Sequence, residues 1–392
     1  MSTFTSPRFD TRLWPVLPFG SDDGILTEGD VLARVTHTAD GVDLNTIWQT
    51  MQNATSTWNA HRTALTDLLS YWTTAPAEAV GQGRNEDEFE LATELGEPES
   101  LRPPSAYNLL GFTFEDYDRA ARYSWRALRE MDQRQALAVH NEALNADNSL
   151  VTKTILNRLF SPAPETNSFG HTCYGLWVGS DGMIPPNWLG KSFDANHTHY
   201  RATGNAEIDS TDLLEGIKAI REHGYGLVDS DQILIALVNE AESEVIQSFR
   251  ANVENNNSAV SRWDFIPSKS QPAFTLQGAG QLIGEQPEGQ IFSLPTVGKY
   301  GPVFVVESSF VPEGYFSIIA TAGPGNPSNC IGVRQHENTT YQGLRHLPGN
   351  TGGYPLIESF YTRSFGVGVR HRGAAVCYKL GAGPYTAPEI LS

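Results

Sequence analysis

The chain has 392 residues, 40% of them hydrophobic, and its 45 Asp and Glu residues against 27 Lys and Arg residues give a formal net charge of −18. This length and composition exclude an intrinsically disordered chain and support more than one domain, with a core that needs no disulfide or metal. The acidity disfavours a sequence-specific nucleic-acid-binding protein, which needs a basic face, and the lack of any run of about 18 apolar residues disfavours a membrane span.

The first 40 residues mix Pro, Gly, Asp and scattered aromatic residues without periodicity, and we predict an extended arm there. They also lack the basic and then apolar pattern of a secretion signal, so we do not expect export. From Leu44 to Trp72 large apolar residues recur every seven positions, which predicts one amphipathic helix of roughly eight turns. Trp58 and Trp72 on its apolar stripe need a large apolar partner, either the protein's own core or another chain.

A polar break is expected at residues 76–88, and a β-hairpin after it. Apolar and polar residues alternate from Phe89 to Leu95 and again from Leu110 to Phe114, on either side of turn residues at 96–104. Between Glu86 and Asp118 there are ten carboxylates and one cation, Arg102. A hairpin is marginal alone, so one with this much like charge requires an external partner of opposite charge.

Basic residues follow the hairpin directly. Their three- to five-residue spacing predicts that several share one helix face; they are Arg119, Arg122, Arg126, Arg129 and Arg134. A helical pattern then extends from near Asp132 to Phe160, which is about 29 residues or roughly 43 Å. We expect this long helix to act as a strut.

The rest of the chain is loop-rich at 161–206 and then α/β in pattern. We predict helices at Thr211–His223 and Glu240–Arg250, and strands at Gln232–Val238, Asp264–Ile266, Val303–Val306 and Tyr315–Ala320, before a β-rich end at 355–380. On a strand, Arg370 and Arg372 would share one side. They form either a solvated edge or a charge partner for a carboxylate-rich surface.

Motifs that carry chemistry are weak. His197-Thr198-His199 lies near Cys173, but zinc needs three or four converging ligands, and we interpret the pair as loop packing and predict no metal site. Residues 278–284 have the wrong spacing for a dinucleotide fingerprint, and neither a phosphate-binding Gly-Lys-Ser/Thr loop nor a Gly-x-Ser-x-Gly elbow occurs. The widely spaced Cys173, Cys330 and Cys377 are typical of reduced thiols. We therefore predict no cofactor, no catalytic residue and no enzymatic activity.

Several stretches point to a family when taken with this order of parts. They are Asp147-Asn148 and Leu159-Phe160 in the predicted strut, residues 197–200, 262–267, 270–273 and 312–315, and, most specifically, residues 341–345, 354–361 and 364–375. In these stretches the chain resembles the major capsid proteins of tailed bacteriophages, with the Hong Kong 97-type fold, and more narrowly the branch found in phages of actinobacteria. The likeness covers roughly residues 86–390.

The resemblance implies an α+β fold of the Hong Kong 97 type. Its parts would be an N-terminal arm with the amphipathic helix (1–85), an extended loop formed by the hairpin (86–118), a peripheral domain with the spine helix (119–204), most of an axial domain (205–355), and C-terminal strands that return to the peripheral domain (356–392). Cross-linking as in the fold's best-known member needs a loop lysine, and residues 86–118 contain none.

The implied function is that of a major capsid protein, which assembles with itself into hexamers and pentamers of an icosahedral shell around double-stranded phage DNA. Scaffolding, portal and decoration proteins are the expected further partners, with weak non-specific DNA contact, no membrane, and assembly in the host cytoplasm. Candidate inter-subunit contacts are Glu90, Glu94, Glu97, Arg102, Arg122, Arg126, Arg129, Arg370, Arg372, Trp58 and Trp72. Two alternatives stay open: an encapsulin-like compartment, and a metalloenzyme that uses His197, His199 and Cys173.

Overall fold

The computed structural model describes residues 35–60, 63–82, 106–270, 286–349 and 356–390. The helices in these ranges are α1 (Leu44–Ala60), α2 (Ala64–Leu69), α3 (Trp125–Glu130), α4 (Gln133–Phe160), α5 (Ser210–Arg221) and α6 (Glu240–Gln247). The strands are β1 (Ser70–Thr73), β2 (Ala77–Gln82), β3 (Ala106–Gly111), β4 (Glu115–Ser124), β5 (Glu165–Thr166), β6 (Thr172–Cys173), β7 (Tyr200–Ala202), β8 (Ile233–Val238), β9 (Phe265–Pro267), β10 (Gln290–Ile291), β11 (Leu294–Pro295), β12 (Gly298–Tyr300), β13 (Val303–Glu307), β14 (Tyr315–Thr321), β15 (Ile331–Arg334), β16 (Leu344–Pro348), β17 (Leu356–Val369) and β18 (Ala375–Lys379). Among these described helices, none combines the length and the apolar character needed to cross a bilayer.

The described residues divide into two compact units. The first takes those within Met1–Arg62, Asp116–Asn148 and Glu337–Ser364, and the second those within Thr63–Glu115, Ser149–His336 and Phe365–Ser392. Each unit is therefore built from three separate stretches of the chain.

In the first unit, helices α1 and α4 pack around small and aliphatic side chains. Ile47 and Met51 of α1 are buried with Ala136 of α4. Strand β16 pairs antiparallel with β17, from Leu344 opposite Arg363 to Pro348 opposite Ser359. A second buried cluster is formed by residues of β4, α4, β16 and β17. Its members are Ala121, Ala143, Leu144, Leu344 and Tyr361.

In the second unit, a seven-stranded sheet of order β7-β18-β14-β8-β13-β12-β9 forms the main layer. The apolar run of β8 is almost entirely buried and lies inside the sheet, where β13 pairs with it in parallel and β14 pairs with it antiparallel. Helix α5 packs on this sheet, where Gly216 leaves room for Ile318 and Tyr378. The helix starts with a capping box, in which the Asp209 side chain accepts hydrogen bonds from the backbone and Asp212 reciprocates.

The end of α4 lies in the second unit, where tyrosine hydroxyls reach its last carbonyls. The buried Arg158, in its last turn, donates to the carbonyls of Ser161 and Ala163 just beyond the helix at 2.8 and 2.7 Å. The hydroxyl of Tyr200 donates to the carbonyl of Leu159 at 3.1 Å, and that of Tyr385 donates to the Phe160 carbonyl at 2.8 Å. The long helix therefore ends where its free acceptors find donors.

The predicted long helix is confirmed, since α4 has 28 residues. The predicted helices and strands of the α/β region are also confirmed, to within a few residues at their ends. The prediction of one helix from Leu44 to Trp72 is wrong. Helix α1 ends at Ala60, and Trp72 lies on strand β1 opposite Val333. A seven-residue repeat cannot report this strand, because its pairing partner is far away in the sequence.

Two further local predictions are wrong. The expected polar break contains strand β2, which pairs antiparallel with β3 from Ala77 opposite Gly111 onward. Arg119 and Arg122 lie on strand β4 rather than on a helix, and α3 begins only after Ser124, whose side chain accepts from the Ala127 N–H at 3.0 Å. Arginine spacing alone suits a helix, but pairing of β4 with β17 decides the conformation.

Candidate assembly contacts and a histidine cluster

The acidic half of the predicted docking contact lies outside the described residues. This applies to Glu90, Glu94, Glu97 and Arg102, and to the turn expected at residues 96–104. The base from which this segment leaves and returns is the two-stranded sheet of β2 and β3. The segment is therefore bounded by a paired stem, as a hairpin requires.

The basic half of the contact is exposed. Arg122 Nε lies 2.9 Å from Glu358 Oε1, while Arg126 Nε and Arg129 Nη2 lie 3.2 and 3.3 Å from the same oxygen of Glu130. These three arginine side chains are 60%, 81% and 70% exposed. Hydrogen bonds from Arg129 and Arg126 lower the pKa of Glu130. Since the guanidinium groups of Arg126 and Arg129 share the single carboxylate of Glu130, helix α3 carries one more positive than negative charge.

Arg370 and Arg372 do not share one side of a strand as predicted, because β17 ends at Val369 and both follow it. Arg370 Nε lies 3.1 Å from Glu78 Oε2, and its side chain is about a third exposed. Arg370 therefore already has an anionic partner within its own chain.

Arg372 is buried. It forms an ion pair with Asp181, and its Nε donates to the Gly175 carbonyl at 2.9 Å. Its guanidinium also lies 4.2 Å from the centre of the Trp177 ring, close enough for a cation–π interaction. Arg372 therefore braces a loop inside the chain and presents no exposed charge to a neighbour.

Trp58 finds its apolar partner within the chain. It packs against the first unit's buried cluster, and its Nε1 donates to Asp147 Oδ2 at 2.9 Å. The same oxygen lies 2.6 Å from Arg363 Nη1, and the Asp147 and Arg363 side chains are both less than a tenth exposed. A buried ion pair with an indole donor thus links α1, α4 and β17. Trp72, on β1, is half-buried.

Aromatic and histidine rings form a second buried group in the first unit. The His346 ring stacks on Tyr361 with ring centres 4.2 Å apart, and His140 Nδ1 lies 2.9 Å from the Tyr361 hydroxyl. Burial lowers the pKa of His346 to about 4 and also lowers the pKa of His140. Both rings are therefore neutral near pH 7.

Three histidines converge in the second unit. His197 Nε2 lies 2.9 Å from His223 Nε2 and 3.1 Å from His199 Nε2, and the ligand atoms of all three lie within 4.8 Å of one another. Burial lowers the pKa of His199 well below its usual value and that of His223 to about 3. We name these three residues the histidine cluster.

The histidine cluster differs from the set considered in the sequence. Cys173 is not a member; it is buried, and burial raises the pKa of its thiol to about 11. His223 was missed because it follows α5, and only the fold of the second unit brings it to His197 and His199. The one local feature that marks His223 is its place at the end of α5, just before Gly224, which has a φ of 82°.

No family model and no curated protein matches the chain. A solved structure from Mycobacterium phage Patience is 38% identical, with 94% of this chain and 96% of that chain covered and a TM-score of 0.70. The asymmetric unit of the bacteriophage PhiM1 mature capsid is 12% identical, with 83% and 89% covered and a TM-score of 0.46. The holo-SrpI encapsulin complex of Synechococcus elongatus is 12% identical, with 92% and 97% covered and a TM-score of 0.40. Only the first similarity is strong enough to support an inference.

Proposed function

Because the chain belongs to the Hong Kong 97-type major capsid proteins of phages of actinobacteria, and is thus a virion component that assembles with itself into a shell, we propose how its parts meet in that shell. The acidic loop of one subunit docks on arginines of a neighbour within hexamers and pentamers. The 38% identity over 94% of the chain carries the family assignment, and the separation of charge along the chain supports the docking.

The proposed organisation follows the family's plan. Residues 86–118 are the extended loop, 119–204 the peripheral domain with α4 as its spine, 205–355 most of the axial domain, and 356–392 the returning strands. The paired stem of β2 and β3 supports an earlier start of the loop, at Ala77. Most strands of the seven-stranded sheet fall within the proposed axial domain.

The docking proposal rests on surplus charge of opposite sign. Residues 86–118 contain ten carboxylates and one cation, and seven of the carboxylates precede strand β4, on which the other three lie. Arg122, Arg126 and Arg129 are exposed and share two carboxylates. One exposed ion pair contributes only about 0–1 kcal/mol. Several pairs repeated on every subunit set the register and the rate of assembly rather than the stability of the subunit. Arg372 is not part of this proposal, since it is buried within its own chain.

A charge-reversal series tests the docking. Replacing Glu90, Glu94 and Glu97 by Lys is expected to block assembly and leave the helicity of the subunit unchanged by circular dichroism. Adding Arg122→Glu, Arg126→Glu and Arg129→Glu to the same chain is expected to restore shells, seen by sedimentation. The matched control places three lysines at the exposed positions Asp229, Glu254 and Glu337. Normal shells from the first variant, or equal loss in the control, would contradict the docking.

The contents of the particle distinguish a phage shell from an encapsulin-like compartment. We propose double-stranded DNA as the content, held by weak non-specific contact because tight binding to the wall would hinder packaging and release. Assembly would take place in the host cytoplasm with scaffolding, portal and decoration proteins, and without a catalytic role for this chain. Electron microscopy of native particles, with nucleic-acid extraction, is expected to show megadalton icosahedral shells that contain DNA. A stable monomer at every concentration and salt tested would contradict assembly, and a protein cargo would favour the compartment.

A further inference from the structure

We propose that His197, His199 and His223 form a binding site for one divalent transition-metal ion of the zinc class. Their ligand atoms all lie within 4.8 Å of one another, with separations of 2.9 Å and 3.1 Å from His197 Nε2 to Nε2 of the other two. In tetrahedral zinc coordination, with Zn–N bonds of about 2.0–2.1 Å, ligand nitrogens stand about 3.3 Å apart. The third separation, from His199 to His223, is within 4.8 Å. Binding an ion would therefore widen the two short separations by a few tenths of an ångström and bring His199 and His223 to the same spacing of about 3.3 Å.

The hydrogen-bonding capacity of the rings favours an ion over ring-to-ring hydrogen bonds. His199 Nδ1 lies 2.5 Å from the Ala375 carbonyl oxygen, which can only accept, so Nδ1 carries the proton and Nε2 of the neutral ring carries a lone pair. His197 Nε2 faces two ring nitrogens but has only one in-plane position, for a proton or for a lone pair. Hydrogen bonding among the three Nε2 atoms can therefore involve only one shared proton, whereas a metal ion can accept a lone pair from each of the three.

The surroundings of the rings hold them in the orientation that a metal site needs. Metal-binding histidines commonly donate their second N–H to a carbonyl, as His199 does to Ala375. The Phe193 ring stacks on His223 with centres 4.1 Å apart and meets the His197 ring edge-on at 4.7 Å. The donors are thus placed before any ion arrives.

Charged side chains of both signs lie near His197: Lys191 and Arg201 are the cations, and Asp194 and Glu222 are the anions. Arg201 also acts on His199 and His223. Lys191 and Glu222 also form an ion pair with each other at 3.3 Å. Neutral imidazoles without a carboxylate ligand suit zinc, copper or nickel better than magnesium or calcium, which prefer oxygen.

An ion here would join three segments of the second unit. His197 and His199 precede the edge strand β7, His223 follows helix α5, and the Ala375 carbonyl belongs to β18, which pairs with β7. Gly373 leaves room for the His223 ring, because a Cβ there would lie 2.8 Å from it. The metal would fasten the sheet edge to the helix, so its removal should lower thermal stability.

Zinc uptake by untagged particles tests the site. Particles treated with a chelator and then dialysed against zinc sulfate are expected to retain one zinc per chain by elemental mass spectrometry, with a higher unfolding temperature than metal-free particles. His223→Gln and His197→Gln should bind zinc at least tenfold more weakly. His336→Gln, at an exposed histidine outside the cluster, should bind it as the unmodified chain does.

X-ray absorption at the zinc edge of the unmodified particles keeps the test independent of whether the variants fold. Three imidazole ligands at about 2.0–2.1 Å are expected. The proposal is overturned if chelated particles take up no zinc, if the absorption spectrum shows fewer than three imidazoles, or if folded His223→Gln particles retain zinc as well as His336→Gln particles do.

Discussion

Replacing Asp147 by Ala is expected to destabilise the first unit strongly, because it removes the charge partner of a buried arginine. Oδ2 of Asp147 lies 2.6 Å from Arg363 Nη1 and accepts the Trp58 Nε1 hydrogen bond at 2.9 Å. The side chains of Asp147 and Arg363 are 4% and 9% exposed, so water cannot replace the lost carboxylate.

The magnitude follows from what the substitution leaves behind. Removing one partner of a buried ion pair typically costs about 3–5 kcal/mol, because the other charge stays buried after losing its counter-charge. Loss of the indole hydrogen bond adds about 1 kcal/mol. We therefore expect Asp147→Ala to lower the free energy of unfolding by about 4–6 kcal/mol. Asp147→Asn keeps an acceptor for Trp58, so it should lose slightly less.

Urea unfolding of unassembled subunits, followed by tryptophan fluorescence and circular dichroism, measures the effect. Adding Arg363→Met to Asp147→Ala is expected to recover part of the loss, since the buried guanidinium that has lost its carboxylate is then also removed. A loss below about 1 kcal/mol for Asp147→Ala, or strict additivity in the double variant, would refute the view that this pair is coupled.

Three further predictions concern pH, helix capping and covalent linkage. Lowering the pH from 7 toward 4 should reduce the stability of the first unit, because His346 takes up a proton near pH 6.5 in the unfolded chain but has a pKa of about 4 in the folded chain. Each pKa unit corresponds to about 1.4 kcal/mol, so the largest loss in the free energy of unfolding from this group is about 3 kcal/mol. His346→Gln should flatten the pH dependence of the unfolding midpoint. Asp209→Ala should cost about 1–2 kcal/mol in urea unfolding by removing the cap of α5, while Asp209→Asn should cost much less; equal losses would contradict the capping role. Mature particles boiled in detergent and reductant should run as one band near the chain mass of 43.0 kDa. The chain has no lysine within residues 86–118, and arginine stays protonated and cannot act as the nucleophile. A ladder of multimers would show that a lysine elsewhere reaches a neighbour.

The local sequence pattern is sufficient to predict a segment whose conformation depends on its own residues. Helix α4 was predicted almost to the residue, since a long helix makes its backbone hydrogen bonds within itself. The run of β8 was predicted because six consecutive apolar residues in a short segment suit a strand buried on both faces. The stretches at 341–345, 354–361 and 364–375 are the most specific of those that indicate the family, which the 38% identical phage structure supports.

The tertiary structure decided the elements whose partners are distant in sequence. Trp72 belongs to a strand only because β15 lies beside it, and Arg122 belongs to β4 rather than to a helix because that segment pairs with β17. Arg372 is buried because the acceptor Asp181 and the ring of Trp177 come from a loop nearly two hundred residues earlier. His223 joins His197 and His199 for the same reason: periodicity reports which face of one element is apolar, whereas the meeting of three separate segments depends on how the whole sheet is assembled.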